Sequence, residues 1–170
     1  MPQHLIAPPI RTERLLLRAY RRDDFHHLVE IYQTERSRYI GGPLAEMQVW
    51  QGFMNTIGHW PIMGFGAWAI ELAATGACIG EVAITRPPEF PETELGWVLF
   101  GAHEGHGYAL EAATAALSFA RALALPSLVS YVDPDNHRSA RLAQRLGAVH
   151  DPAAATPNGD PCLVFRYAAA

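Results

Sequence analysis

Two glycines stand within four residues in Glu104-Gly105-His106-Gly107, and a helix-forming stretch begins at about Tyr108. Glycine adopts positive φ without a steric penalty and lets its backbone approach another molecule closely. A helix start leaves its first N–H groups unpaired and carries about half a positive elementary charge. Together these make an anion site, and in an α/β protein the usual occupant is a diphosphate. The same residues also suit a tight strand-to-helix turn that binds nothing. Upstream, Glu94–Phe100 reads as the strand feeding this turn, with Gly96 either at a bulge that opens the sheet or at a close packing contact. Downstream, Arg138, Arg141 and Arg145 recur at i, i+3 and i+7, a stripe that is either solvated or meets a phosphate.

The elements holding these residues follow from periodicity. Leu15–Arg18 is a strand, and Asp23 or Asp24 is placed to cap a helix running to about Arg36. A second helix is expected from about Leu44 to His59, with Met47, Trp50, Gln51, Met54 and Ile57 on one side and Pro61 as its stop. Ala67–Leu72 and Cys78–Thr85 flank Ala74-Thr75-Gly76 and read as a hairpin. A helix from Tyr108 to about Ala122 lines up Ala112, Ala113, Ala116, Leu117 and Ala120, small residues that let it lie close to a sheet. Ser127–Val132 is a buried strand, His137–Leu146 a helix closed by Gly147, and Ala148–His150 and Cys162–Tyr167 are final strands. The order β-α-α-β-β-β-α-β-α-β-β implies an α+β fold: a mixed, mostly antiparallel central sheet with helices on both faces. Residues 1–11 are a Pro-rich lead-in.

At 170 residues the chain has the length of a single domain, 1–170. A net charge of −4 without a Lys/Arg-rich block argues against a nucleic-acid partner. No apolar run approaches the ~20 residues of a membrane span, and the first residues show no secretory pattern. Cys78 and Cys162 fit no metal-ligand spacing and read as free thiols in a reducing compartment, so no metal and a cytoplasmic location are expected.

Several local patterns, in order, resemble the GCN5-related N-acetyltransferases (GNAT), in particular the branch that acetylates ribosomal-protein N-termini. Thr12-Glu13-Arg14-Leu15-Leu16-Leu17-Arg18 is similar to that branch's opening strand, and Glu94-Leu95-Gly96-Trp97-Val98-Leu99 to its central strand. Glu104-Gly105-His106-Gly107-Tyr108-Ala109 resembles its acyl-CoA diphosphate loop, (Q/R)xxGx(G/A), with Glu104 replacing the usual Gln or Arg. Asn136-His137-Arg138-Ser139 through Leu146-Gly147-Ala148 resembles its NxxS…LG(F) segment, with Ala148 in place of Phe.

The resemblance implies a GNAT-like acyl-CoA N-acyltransferase fold and direct transfer of acetyl from acetyl-CoA to a primary amine, either a protein N-terminus or a small molecule. It implies that residues 104–109 hold the diphosphate through main-chain amides and that the pantetheine arm lies along Val98 and Leu99 like an added strand. Asn136, Arg138 and Ser139 join them on the cofactor side. An amine must be neutral to attack: at pH 7.4 this costs about 4 kcal/mol for a lysine-type amine and under about 1 kcal/mol for an α-amine. Glu94, two residues before Gly96, is the first choice for the base, against a solvated carboxylate or a partner of Arg18; Glu81 is the second. Ser139, in the first turn of a helix capped by Asn136, either donates a proton to the leaving thiolate or only completes the cap. Tyr39 is the expected acceptor-pocket residue, and a homodimer follows from family analogy alone. A non-catalytic acyl-CoA-binding module and a dinucleotide-dependent enzyme are the competing readings. The latter fits poorly, because Leu110 stands where the third glycine of its fingerprint belongs.

Overall fold

Eight strands form one sheet in the computed structural model, which describes residues 6–168; residues 1–5 of the lead-in and 169–170 of the expected domain lie outside them. The strands are β1 (Ile10–Arg11), β2 (Leu15–Arg18), β3 (Ala67–Leu72), β4 (Cys78–Thr85), β5 (Glu94–Leu99), β6 (Val129–Val132), β7 (Val149–His150) and β8 (Leu163–Arg166). Their order across the sheet is β1-β2-β3-β4-β5-β6-β8-β7. All neighbours are antiparallel except β5 and β6, so the sheet is mixed and mostly antiparallel, as expected. The helices are α1 (Phe25–Tyr32), α2 (Glu46–Met63), α3 (Tyr108–Ala122) and α4 (His137–Arg145).

Alternation along β4 and β5 sorts the two faces. Val82, Ile84, Leu95 and Leu99 pack with Ala112, Ala113, Ala116, Leu117 and Ala120 of α3, whose small side chains let it sit close. Glu94, Gly96 and Val98 turn to the opposite face, where Leu28, Ile31, Val49, Phe53 and Phe100 form a second cluster with α1 and α2. The polar residues of β5 therefore lie in the space between the sheet and α1–α2.

Several expectations are corrected. The lead-in contains a strand: Ile10 and Arg11 pair with Leu17 and Leu16, and the Trp68 indole N–H donates to Pro8 O at 2.8 Å. Helix α1 stops at Tyr32 rather than Arg36, because the buried Ser37 hydroxyl occupies the Tyr32 and Thr34 carbonyls at 3.1 and 2.7 Å. A separate 3-10 turn, Glu35–Ile40, follows, ending at Gly41 with φ 89°. Helix α2 runs through Pro61 to Met63 and closes at Gly64, in its left-handed conformation, whose N–H bonds Trp60 O at 3.0 Å. Trp60 anchors that last turn by donating to Ala67 O at 2.9 Å and packing edge-on against Trp68. The expected apolar side of α2 faces outward: Met47, Trp50, Met54 and Ile57 are 65, 38, 47 and 38 % exposed, while Val49, Phe53 and Trp60 are buried. Both sides of this helix are apolar, so periodicity alone does not choose between them.

Asp24 does not cap α1 through a side-chain bond. Its carboxylate accepts the Arg21 N–H at 2.7 Å and both ends of the buried Arg18 guanidinium at 2.7 and 2.9 Å, while Arg18 Nε donates to Glu71. Arg18 is thereby committed to Asp24 and Glu71 and does not pair with Glu94.

Candidate functional site

The sheet opens beside β5. The β4–β5 ladder runs without a shift from Gly80↔Leu99 to Thr85↔Glu94, so Gly96 makes no bulge there; the sheet's irregularity lies between Ile70 and Glu71 on β3. The opening arises on the other side, where β5 pairs with β6 only at Glu94↔Val129. Phe100 N–H donates to Ile79 O at 2.8 Å, which sets the phase of the antiparallel ladder. Gly96 and Val98 therefore bond toward β4, and Trp97 and Leu99 direct their N–H and C=O toward the gap. Ser130 Oγ closes the gap's near end by donating to Leu95 O at 2.5 Å.

Two cavities meet at this gap. One, of about 580 Å³, is lined by Val98, Leu99, Glu104, Gly105, Gly107 and Ala109 together with Arg36, Arg138 and Arg145. The other, of about 700 Å³, lies over Glu81, Glu94 and Gly96. Tyr39, Trp97, Val98, Asn136 and Ser139 line both and form the junction.

Gly105 and Gly107 have φ of 82° and 81°, and Gly107 is the N-cap of α3. That backbone leaves the N–H groups of residues 105–110 without acceptors among the described residues, the first bond of the turn being Glu111 N–H to Gly107 O at 3.1 Å. The loop is held from behind. Glu111, in the first turn of α3, accepts the Thr12 hydroxyl at 2.6 Å, the Arg14 N–H at 2.8 Å and Arg14 Nε at 2.7 Å. The Arg14 guanidinium also donates to His106 O at 3.0 Å and lies 4.7 Å over the Tyr108 ring. The loop's carbonyl is thus turned backward. The side chains of His106 and Tyr108 stack on each other, and the cavity is lined instead by Gly105, Gly107, Ala109 and Leu110. Glu104 accepts Arg36 and Arg138 at 2.7 Å each, which compensates its charge and links the 3-10 turn, the loop and α4.

Across the junction, the Glu94 carboxyl leans over Gly96: a Cβ built on Gly96 would stand 3.7 Å from it. Burial pushes Glu94 up to about 7, opposed only by the main-chain N–H of Tyr131. Glu81 is also raised by burial, but the Tyr20 hydroxyl is bonded to it. Asn136 caps α4 by accepting the Ser139 N–H at 3.2 Å, and the Ser139 hydroxyl takes no part in that cap. Tyr39 stacks with Arg38, whose guanidinium is 4.5 Å over its ring. Trp60 and Trp68 are buried in the core and line neither cavity. Trp97, Arg14 and Arg36 carry no local sequence signal of a site role beyond Arg14's place in the Thr12–Arg18 pattern.

The sequence profile described as "Acetyltransferase (GNAT) domain" matches residues 14–149. The chain belongs to the GNAT acetyltransferase family. A crystal structure of an acetyltransferase from Agrobacterium tumefaciens str. C58 is 44 % identical, covers 95 % of both chains and superimposes with a TM-score of 0.91. Two more distant structures share the GNAT fold. RimL, a ribosomal L7/L12 α-N-protein acetyltransferase in complex with coenzyme A, is 19 % identical, with 94 % of this chain and 96 % of that one covered and a TM-score of 0.72. Spermidine N-acetyltransferase from Vibrio cholerae, with CoA and spermine, is 20 % identical over 91 % and 94 %, with a TM-score of 0.71. The uncharacterized protein YkkB of Bacillus subtilis (strain 168) is 31 % identical over 87 residues; the match spans about half its length, 51 %. No helix among the described residues of this GNAT chain is long and apolar enough to cross a membrane.

Proposed function

We propose that this protein is an N-acetyltransferase that moves acetyl from acetyl-CoA directly to a primary amine. The observation that carries this is the union, at one junction, of unpaired loop amides, an open strand edge and a carboxyl raised to about 7. The main-chain N–H groups of residues 105–110 and the guanidinium groups of Arg36 and Arg138 hold phosphate oxygens of the cofactor. The outward amides of Trp97 and Leu99 pair with its pantetheine arm as a missing strand would. Bound there, acetyl-CoA supplies the activated thioester.

Glu94, ionised in about half the molecules near pH 7, takes the proton of the attacking amine directly or through a water. Ser139 donates its hydroxyl proton to the departing thiolate. One N–C bond forms and one C–S bond breaks; Glu94 then releases the nitrogen's proton to solvent and Ser139 regains one from solvent, so the net transfer is one proton from nitrogen to sulfur. Residues 1–170 act as one domain in the cytoplasm, in keeping with thiols at Cys78 and Cys162 that are free. The test is acetyl-CoA consumption with a panel of peptide and small-molecule amines. Turnover supports the proposal; CoA binding without turnover of any amine favours the non-catalytic module.

Two outcomes follow from individual side chains. Ser139→Ala should lower kcat about tenfold or more while the Kd for CoA changes less than about twofold, because its hydroxyl is not used in the cap. Weaker CoA binding with unchanged kcat would make Ser139 structural. Arg14→Ala should raise the KM for acetyl-CoA about tenfold with little change in kcat, since it removes the charge-assisted bonds behind the loop. Arg14→Lys should recover only part of this, because an ammonium cannot reproduce the fork that reaches both Glu111 and His106.

A further inference from the structure

Charge is divided unequally between the two cavities. The cofactor-side cavity is lined by Arg36, Arg38, Arg138 and Arg145 against Glu35 and Glu104. In the other, Glu81, Glu89, Glu94, Asp133 and Asp160 face Arg38 as the one arginine. That arginine lines both cavities, stacked on Tyr39 and donating to its hydroxyl at 2.7 Å. The cavity's one histidine, His59, accepts the Arg86 N–H through Nε2 at 3.4 Å.

A second, independent feature is aromatic. Tyr32, Tyr39, Phe90 and Tyr131 line the same cavity, and aromatic faces attract ammonium groups. Phe90 and Tyr131 brace each other edge to face at 5.2 Å, and the Tyr131 hydroxyl accepts the Glu92 N–H, so this wall is fixed. The carboxylates differ in placement. Glu94 is on β5 beside the junction, whereas Glu89 and Asp160 are exposed on the loops before β5 and before β8. No ion pair engages Glu89 or Asp160 among the described residues.

We infer that the acceptor is a flexible aliphatic amine carrying at least one further positive charge, a di- or polyamine. This rests on the transferase reading above. The reacting nitrogen sits at Glu94, where it gives up its proton, and the distal ammonium is held at the mouth by Glu89 and Asp160. A peptide N-terminus with uncharged side chains brings a single cation and a row of amides. The cavity offers carboxylates and ring faces, which match spaced ammonium groups better. The reaction converts one ammonium to an acetamide, so the product carries one positive charge fewer and leaves a site built for two.

The experiment compares kcat/KM at saturating acetyl-CoA for spermidine, 1,5-diaminopentane, pentylamine and a tetrapeptide with uncharged side chains. Spermidine and diaminopentane should exceed pentylamine by about thirtyfold or more, and that advantage should shrink when salt rises from about 0.05 to about 0.5 M. The double variant Glu89→Gln/Asp160→Asn should lower the diamine-to-monoamine ratio about tenfold without changing the Kd for CoA. Equal rates for diaminopentane and pentylamine, or a preference for the peptide, would overturn the inference and leave the transferase reading standing. No consumption of acetyl-CoA with any of the four would overturn both.

Discussion

Replacing Gly107 by valine should abolish measurable CoA binding. Gly107 has φ of 81°, a region where a β-branched residue is strained by on the order of 1–3 kcal/mol. Its Cβ would also stand 3.4 Å from an Arg14 guanidinium nitrogen, the group that turns the loop's carbonyl backward. The Arg14 contact is an ordinary one, but to relieve the backbone strain the turn must move, and with it the N–H groups at the start of α3. Each such bond to a charged phosphate is worth roughly 1.5–3 kcal/mol, so losing two weakens binding by a factor on the order of a hundred or more. The buried side of α3, from Ala112 onward, lies beyond the turn and should keep the sheet packed. Isothermal titration with CoA, alongside circular dichroism, reads the two effects separately. Unchanged affinity would remove the loop from cofactor binding.

Glu94→Gln should make the protein slower and more stable at the same time. With the carboxyl at about 7, wild-type kcat/KM should climb about tenfold per pH unit below 7 and bend over above it. Glutamine removes that bend. The deficit, of order a hundredfold, should be greatest just above pH 7 and shrink toward the acceptor amine's own pKa, where the amine needs no base. Stability has the opposite sign. A carboxyl raised by burial from near 4.5 binds more protons in the folded protein, so its ionisation destabilises the fold as pH rises through the window from 4.5 to about 7. At pH 8 the neutral amide avoids that cost. The gain should be on the order of 2 kcal/mol, after allowance for solvent reaching the group through the cleft, and should vanish near pH 4. A Gln variant as fast as wild type with the same pH profile would take Glu94 out of the mechanism. One that is slow but not stabilised at pH 8 would mean that its carboxyl is not raised.

The parts of this molecule that sequence reveals are those governed by local rules. Glu94–Leu99, Tyr108–Ala122 and the Asn136-capped helix stand where alternation, helical spacing and capping place them. The glycine loop could be read because positive φ is written in residue type. What escaped depends on partners distant in the chain. Arg14 meets Glu111 across 97 residues, and Arg36 meets Glu104 across 68, so nothing near either arginine announces the contact. Ser37 breaking α1, and α2 turning Met47, Trp50 and Met54 outward, reflect competition between alternatives of similar local merit. A bulge at Gly96 is one of the two readings its sequence allows, yet the sheet opens where β6 parts from β5 after one pair. Gly96 instead lies under the Glu94 carboxyl, 3.7 Å from it at the position of a Cβ.

The most direct measurement is a crystal structure of the protein with CoA. The diphosphate should lie on the main-chain N–H groups of residues 105–110, with the pantetheine arm bonded to Trp97 and Leu99 in the gap between β5 and β6, and the sulfur at the junction of Ser139 and Glu94. A diphosphate bound elsewhere, or a gap left empty while CoA occupies another surface, would contradict this placement.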